Sequence, residues 1–246
     1  MRIMSVKTLV ALVALVALRF GVSLPLTSVA WSYDAGAVSN GGSISGTVKF
    51  AGTAPEPKAI EATKDAEVCA KTPKFEESLL VGEGNGLKNV VVSITNISSG
   101  KEFGDAMVLD QKECLYTPHI TLTQVGAELE ILNNDGILHN IHSYSEANPA
   151  FNQAQPKFRK KLKKKFEQPE IVRIECDAHG WMEGWIVVME HPYYAVSDGS
   201  GAFILSDVPV GEYELKFWHE TLGEAMQNVT VEAGGEASVC VEMSQS

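Results

Sequence analysis

Short runs of β-branched or alternating residues, each stopped by a turn signal, constrain this chain more than any other feature. Ser43-Ile44-Ser45-Gly46-Thr47-Val48-Lys49-Phe50 alternates like a strand. Asn89-Val90-Val91-Val92-Ser93-Ile94 is a short β-branched run. Ala127, Leu129 and Ile131 alternate with Glu128 and Glu130, the pattern of a half-buried strand with one wet face. Val172, Ile174 and Cys176 share one face, with Arg173 and Glu175 on the other, and Trp185 to Met189 is continuously apolar. Tyr213, Leu215 and Phe217 alternate with Glu212, Glu214 and Lys216, and His219 continues their face. Asn134-Asp135-Gly136, Asp198-Gly199-Ser200-Gly201 and Pro209-Val210-Gly211 punctuate these runs. No long segment beyond residue 30 repeats with a helical period. The pattern predicts an all-β chain built as sandwiches or a barrel.

The 246 residues include 20 basic and 31 acidic ones, a formal charge of −11, which speaks against nucleic acid and anionic membranes as partners. Arg2 and Lys7 precede an apolar run from Leu9 to Leu18, and Ser28-Val29-Ala30 supplies small residues for cleavage. This is the layout of a secretory signal over residues 1–30. The run is shorter than the roughly 20 residues that span a bilayer, and no cysteine lies near the cleavage point to carry a lipid anchor. Ala37 is a second cleavage point, and an uncleaved anchoring helix is the alternative reading. Cleavage after Ala30 removes Arg2, Lys7 and Arg19 and no acidic residue, moving the charge from −11 to −14. The expectation is a periplasmic or secreted protein without membrane insertion once the signal is removed, in a compartment where disulfides persist.

Four cysteines contain no C-x-x-C pair, which argues against thioredoxin-type redox chemistry and the commonest zinc modules, and no C-x-x-C-H for covalent haem. Cys69 and Cys114 lie in loop-like sequence and are the expected disulfide. Closing that loop stabilises by about 4 kcal/mol on the chain-entropy model. Two unpaired thiols are the alternative. Cys240, in the terminal strand, is then a free structural cysteine, with intermolecular pairing as its alternative.

Lys157 to Lys165 holds seven basic residues in nine. Phe158, Leu162 and Phe166 are expected on one face of a strand, and Arg159, Lys161, Lys163 and Lys165 on the other. An edge strand protected by lysines accounts for the pattern. A docking patch for an acidic partner is the functional alternative.

Two segments carry chemistry. Cys176-Asp177-Ala178-His179-Gly180-Trp181-Met182 places a thiol, an imidazole and a thioether at three-residue intervals directly after a strand. Soft sulfur with imidazole suits copper, whose thiolate sites take two His, one Cys and a long axial Met. The second imidazole must come from elsewhere, and Asn133-Asn134-Asp135-Gly136-Ile137-Leu138-His139-Asn140-Ile141-His142 supplies it. His139 and His142 are an odd number of residues apart, so on a strand they face opposite ways and one ion is not expected to take both. Zinc would favour Cys, His or carboxylate over Met. A Cys176–His179 nucleophile pair would need an oxyanion hole and a cleft that no motif supplies. A binuclear copper centre would need a second cysteine in the loop, and the histidine clusters of multicopper oxidases are absent.

Asn133-Asn134-x-Gly136-x-x-His139-Asn140 resembles the upstream ligand segment of the plastocyanin and amicyanin type of cupredoxin. Cys176-x-x-His179-x-x-Met182 resembles the downstream loop, with the short spacing of amicyanin. The resemblance covers roughly Leu115 to Glu190, with the run near Val91 as a further part. It implies a Greek-key β-sandwich holding one type 1 copper on His139, Cys176, His179 and Met182. It also implies that Asn140 braces the two ligand segments. His119 and His142 are the reserve candidates for ligation or partner contact; His191 and His219 read as structural or surface residues.

Ser197-Asp198-Gly199-Ser200-Gly201-Ala202-Phe203 and Asp207-Val208-Pro209-Val210-Gly211-Glu212-Tyr213 resemble a carboxypeptidase-regulatory or transthyretin-like sandwich, whose first strand fits Ser45 to Phe50. The expected organisation is a signal over 1–30, the first accessory strands and the disulfide-bearing loop over 41–100, a cupredoxin-like domain over 101–190, and a carboxypeptidase-regulatory-like sandwich over 191–246 completed by the strand at 43–50. The fold class is therefore all-β: a cupredoxin-like sandwich plus a smaller Ig/transthyretin-like one. The expected function is not enzymatic. It is single-electron transfer by an exported blue copper protein between redox partners that no motif identifies, with His179 as the exit for the electron. A copper-binding or delivery protein and a metal-free interaction module are the alternatives.

Overall fold

The computed structural model describes residues 33–105 and 107–245. The segment at 1–30 expected to be a secretory signal lies outside the described residues. The chain is nearly all β, and the regular helix among the described residues amounts to the four residues Ala66–Cys69 and a short 3-10 turn at Glu83–Asn85. No helix among the described residues is long and apolar enough to cross a membrane.

Four sheets follow one another with an apolar layer between each pair. The first contains, in spatial order, Lys161–Lys165, Glu128–Asn133, Val108–Lys112 and Leu115–Thr117. The second contains Asn152–Gln155, His139–Tyr144, Glu170–Glu175, Glu183–Met189 and Ile120–Gln124. Between them Leu109, Leu129, Ile131 and Leu162 meet Ile141, Val172, Ile174 and Ile186. The third sheet contains Tyr194–Val196, Val91–Ile94, Gly211–His219 and Gly223–Val231, and the fourth contains Ala202–Val208, Gly42–Phe50 and Glu236–Met243. Their shared core joins Val92, Ile94, Leu215 and Phe217 to Ile44, Val48, Phe203 and Val241.

The continuous apolar run in Glu183–Met189 has its reason here. Ile186 and Val188 face the first core, while Val187 packs with Ile120, Leu122 and Val91 in a layer between the second and third sheets. A strand covered on both faces loses its polar alternation. Trp185 and Trp218 meet edge to face in that layer, with centroids 5.0 Å apart. The run near Val91 belongs to the third sheet, paired with Tyr194–Val196 and Gly211–His219. That corrects its expected place beside the ligand strands: its β-branched residues serve the other sandwich.

The lysine-rich strand Lys161–Lys165 is an edge strand, paired on one side with Glu128–Asn133. Lys161 and Lys163 reach Glu130 and Glu128 at 2.8 and 2.5 Å. Leu162 and Phe166 are buried, but Phe158 is 82% exposed. The shared face expected for all three fails because Arg159 N–H donates to Pro156 O, closing a turn before the strand begins. Cys240 is free but exposed, so it does not pack in the core as a structural cysteine would: Val239 and Val241 take the inward positions.

One excursion departs from the sandwich plan. Between Gly42–Phe50 and Val91–Ile94 the chain forms the small ribbon of Ala59–Ile60 with Lys74–Phe75, and the helical turn Ala66–Cys69 within it. Cys69 is fully buried in the core of the first two sheets and is bonded to Cys114, with Cα atoms 5.3 Å apart. A segment whose flanking strands belong to the third and fourth sheets thus covers one end of the first two.

Candidate metal centre

His139 begins the strand His139–Tyr144, and Cys176 follows the end of its neighbour Glu170–Glu175. The seven-residue loop then turns back into Glu183–Met189. Three backbone bonds close it: His179 N–H to Cys176 O at 3.1 Å, Met182 N–H to His179 O at 2.9 Å, and Cys176 N–H to Met182 O at 3.1 Å. The three-residue spacing that is legible in the sequence is therefore the repeat of two successive turns, and Cys176 and Met182 are both buried in the core of the first two sheets. His139 and His179 are 0% exposed, and Cys176 and Met182 1%.

Three donor atoms converge. His139 Nδ1 lies 3.0 Å from His179 Nδ1, and Cys176 Sγ lies 3.9 and 3.7 Å from these two nitrogens. Each imidazole has its other nitrogen on a carboxylate: His139 Nε2 on Asp135 at 2.8 Å, and His179 Nε2 on Asp65 at 2.9 Å. The sulfur is oriented by Asn140, whose backbone N–H points at Sγ at 3.5 Å and whose Oδ1 lies 3.4 Å from it. The same Oδ1 accepts Ala178 N–H at 3.1 Å, linking the two ligand-bearing segments.

The electrostatics follow from this packing. Burial pulls the His139 pKa down, but the bonds to Asp135 and Cys176 outweigh it and hold the ring up at about 9. Burial pushes the Cys176 thiol up, but His139 and the surrounding N–H groups bring it below its ordinary value. His179 is lowered, by burial first and then by its proximity to His139 despite the pull of Asp65. The donor set is thus a thiol already biased toward thiolate and two imidazoles fixed by carboxylates, the orientation expected of metal-bound histidines. Asp135, Cys114 and His139 also gather within 4.8 Å of one another, but Cys114 is committed to the disulfide. Thiolate, two imidazoles and a buried thioether nearby fit copper better than zinc.

Asp135 ties this centre to a strained turn. Glu113 and Cys114, between Val108–Lys112 and Leu115–Thr117, both have φ of 56°. Two-residue hairpin turns require that conformation, but Asn and Gly occupy it more readily. Here the Asp135 carboxylate accepts both their N–H groups, at 2.6 and 2.8 Å, and the disulfide holds Cys114.

The remaining histidines lie elsewhere. His142 is on the opposite face of its strand, 3.1 Å from Asp177 and stacked on Tyr144. His119 sits against Glu220, and His219 is fully buried. His179 differs from expectation. It is not a surface-facing exit, because Asp65 caps its Nε2 and Trp181 packs against its ring at 5.1 Å. Asp65, Asp135 and Trp181 were not picked out from sequence. Asp135 carried a signal, four residues before His139, but reads as part of a turn. Asp65 carried none, being 114 residues from the ring it holds.

No protein-family model and no curated protein matches the chain. Solved structures match part of it. A copper-containing nitrite reductase from Thermus scotoductus SA-01 is 15% identical with a TM-score of 0.32, over 40% of this chain and 25% of that one. A proline-to-alanine variant of amicyanin in its oxidised state is 23% identical with a TM-score of 0.31, over 34% of this chain and 82% of that one. A purple cupredoxin from Nitrosopumilus maritimus is 22% identical with a TM-score of 0.30, over 35% of this chain and 100% of that one. The matched part is thus a quarter of the nitrite reductase's length and most or all of the two small proteins.

Proposed function

We propose that this chain is an exported type 1 copper protein that carries single electrons between redox partners and performs no catalysis of its own. The observation that supports the reading is the convergence of His139 Nδ1, Cys176 Sγ and His179 Nδ1 within 3.0 to 3.9 Å, all buried. His139, Cys176 and His179 would hold the ion, with Met182 as the weak fourth donor. The copper supplies reversible one-electron chemistry tuned by its axial ligand and by the surroundings of the sulfur.

The protein's part is to keep the donors still and dry. The three backbone bonds of the loop fix the spacing of Cys176, His179 and Met182. Asn140 holds the loop to the His139 strand and directs its N–H at the sulfur. Asp135 and Asp65 fix both imidazole orientations and leave each Nδ1 for the ion. Asp65, just before the Ala66–Cys69 turn, and Trp181 pack against the His179 ring, which is 0% exposed, so an electron would leave through or beside Trp181 rather than from an exposed imidazole edge.

Titration of the mature protein with Cu(II), followed optically, tests the reading. An intense thiolate-to-copper band that is lost in Cys176→Ser is expected. A colourless product, or a band that survives the substitution, would reject it. A reversible one-electron wave in voltammetry, with copper that resists a soluble chelator, separates an electron carrier from a delivery protein, whose copper would exchange readily.

A further inference from the structure

Beside the ligand loop lies a cleft of about 230 Å3, lined among others by Phe75, Glu77, His119, Trp181, Glu183 and Glu220. His119 is 7% exposed. Its Nε2 contacts one oxygen of Glu220, and the other oxygen accepts the Trp185 indole N–H at 2.9 Å, so the ring and its carboxylate are both fixed. His119 Nδ1 is buried with no hydrogen-bond partner. It faces Glu77 Oε2 at 3.9 Å, beyond hydrogen-bond range. An imidazole that gives one nitrogen to a carboxylate and leaves the other bare is the arrangement that orients a metal-binding histidine.

We propose that His119 Nδ1 and the Glu77 carboxylate form a second metal site, separate from the Cys176 centre, for a borderline divalent cation of the Zn2+ type. The nitrogen donor selects against Mg2+ and Ca2+, which take oxygen. The 3.9 Å separation is within the reach of two ligand bonds of about 2.1 Å each. Glu77 is free to turn, its side chain being 25% exposed, and the cleft has room for water to complete the coordination. Its neighbours are engaged: Glu76 with Lys58 and Glu183 with Arg173, both at 2.5 Å. Thr221 Oγ1 donates to Ser78 O, which ties the Glu77 segment to the turn carrying Glu220. Burial disfavours a proton on His119, yet Glu220, Glu77 and Glu183 together raise its pKa. The field that retains a proton there also favours a cation in its place.

Calorimetric titration of the full chain with Zn(II) alone tests the site, using wild type, a His139→Ala/Cys176→Ser variant, and Glu77→Gln and His119→Gln placed in that variant. One equivalent of Zn(II) that persists without His139 and Cys176, and binds at least tenfold more weakly after either change in the cleft, is expected. No binding to the His139→Ala/Cys176→Ser variant, or binding indifferent to Glu77→Gln, would overturn the proposal. Glu77 is partly exposed, so its variant keeps the test decisive if His119→Gln does not fold. The copper reading fails or stands separately, on the thiolate band of the wild type with Cu(II).

Discussion

In the sandwich that Gly42–Phe50 enters, the buried layer is apolar almost from end to end; in the sandwich that carries Cys176, one end is polar. The first is filled by residues such as Ile44, Val48, Phe203, Leu215 and Phe217. In the second, His139, His179, Gln111, Asn133, Asn140 and Gln155 are all buried towards the end that carries Cys176. Most of those polar groups bond to one another or to nearby backbone, with Gln111 Oε1 left without a partner. Gln111 Nε2 donates to Leu132 O and Gln155 Oε1, Gln155 Nε2 to Ile131 O, and Asn133 Nδ2 to Ile137 O and Gln155 O. The network links neighbouring strands and sets their positions, at the cost of one unpaired buried oxygen on Gln111. The same strand alternation thus supports two tasks: one sandwich supplies apolar stability, and the other gives up part of its core to a fixed donor set.

Hollowing the apolar sandwich gives the largest expected effect. Phe217→Ala should cost about 3–5 kcal/mol in chemical denaturation, while the copper band per folded molecule stays unchanged. Loss of the band in folded protein would show that the two sandwiches are not separable in role. Next in size, replacing both Cys69 and Cys114 by Ser should cost about 4 kcal/mol and speed copper removal by a chelator, because the Ala66–Cys69 turn is then untethered. Destabilisation without faster removal would deny the turn its role as a cover.

A smaller effect isolates one hydrogen bond. Asp65→Gly removes the carboxylate from His179 while tolerating the φ of 50° at that position. Copper affinity should fall by about 10–100-fold in a competition titration, and an unchanged affinity would make Asp65 a capping residue only. The smallest effect lies at the far end of the same sandwich. Burial raises the Glu170 carboxyl, but Ser145, the N–H groups of Glu146 and Ala147, and Asn148 outweigh it and hold its pKa at about 2. A depressed carboxylate stabilises the fold above its unfolded value near 4.5 and loses that contribution as pH falls toward 2. Melting temperature should therefore fall more steeply over that window in wild type than in Glu170→Gln. Parallel curves would remove Glu170 from the account of acid stability.

Much of this architecture is legible in sequence where the physics is local. The inward set Val172, Ile174 and Cys176 follows from strand alternation, and the separation of His139 from His142 follows from the same period. The loop spacing of Cys176, His179 and Met182 likewise reports a local turn geometry. What is not legible depends on contacts across long stretches of chain. The 59–75 excursion is polar and has two-residue strands, so no periodicity announces that it covers His179. Phe158 looks like a partner of Leu162 and Phe166 until the turn at Pro156 rotates it into solvent. Asp135 lies in plain view, but a turn aspartate and a carboxylate orienting a buried imidazole have the same sequence signature.

Anomalous diffraction at the copper edge from crystals of the copper-loaded protein tests whether the ion sits at Cys176. One peak in bonding contact with His139 Nδ1, Cys176 Sγ and His179 Nδ1 is expected, with the Met182 thioether alongside. Copper found away from Cys176, or no ordered copper at that sulfur, would contradict the account.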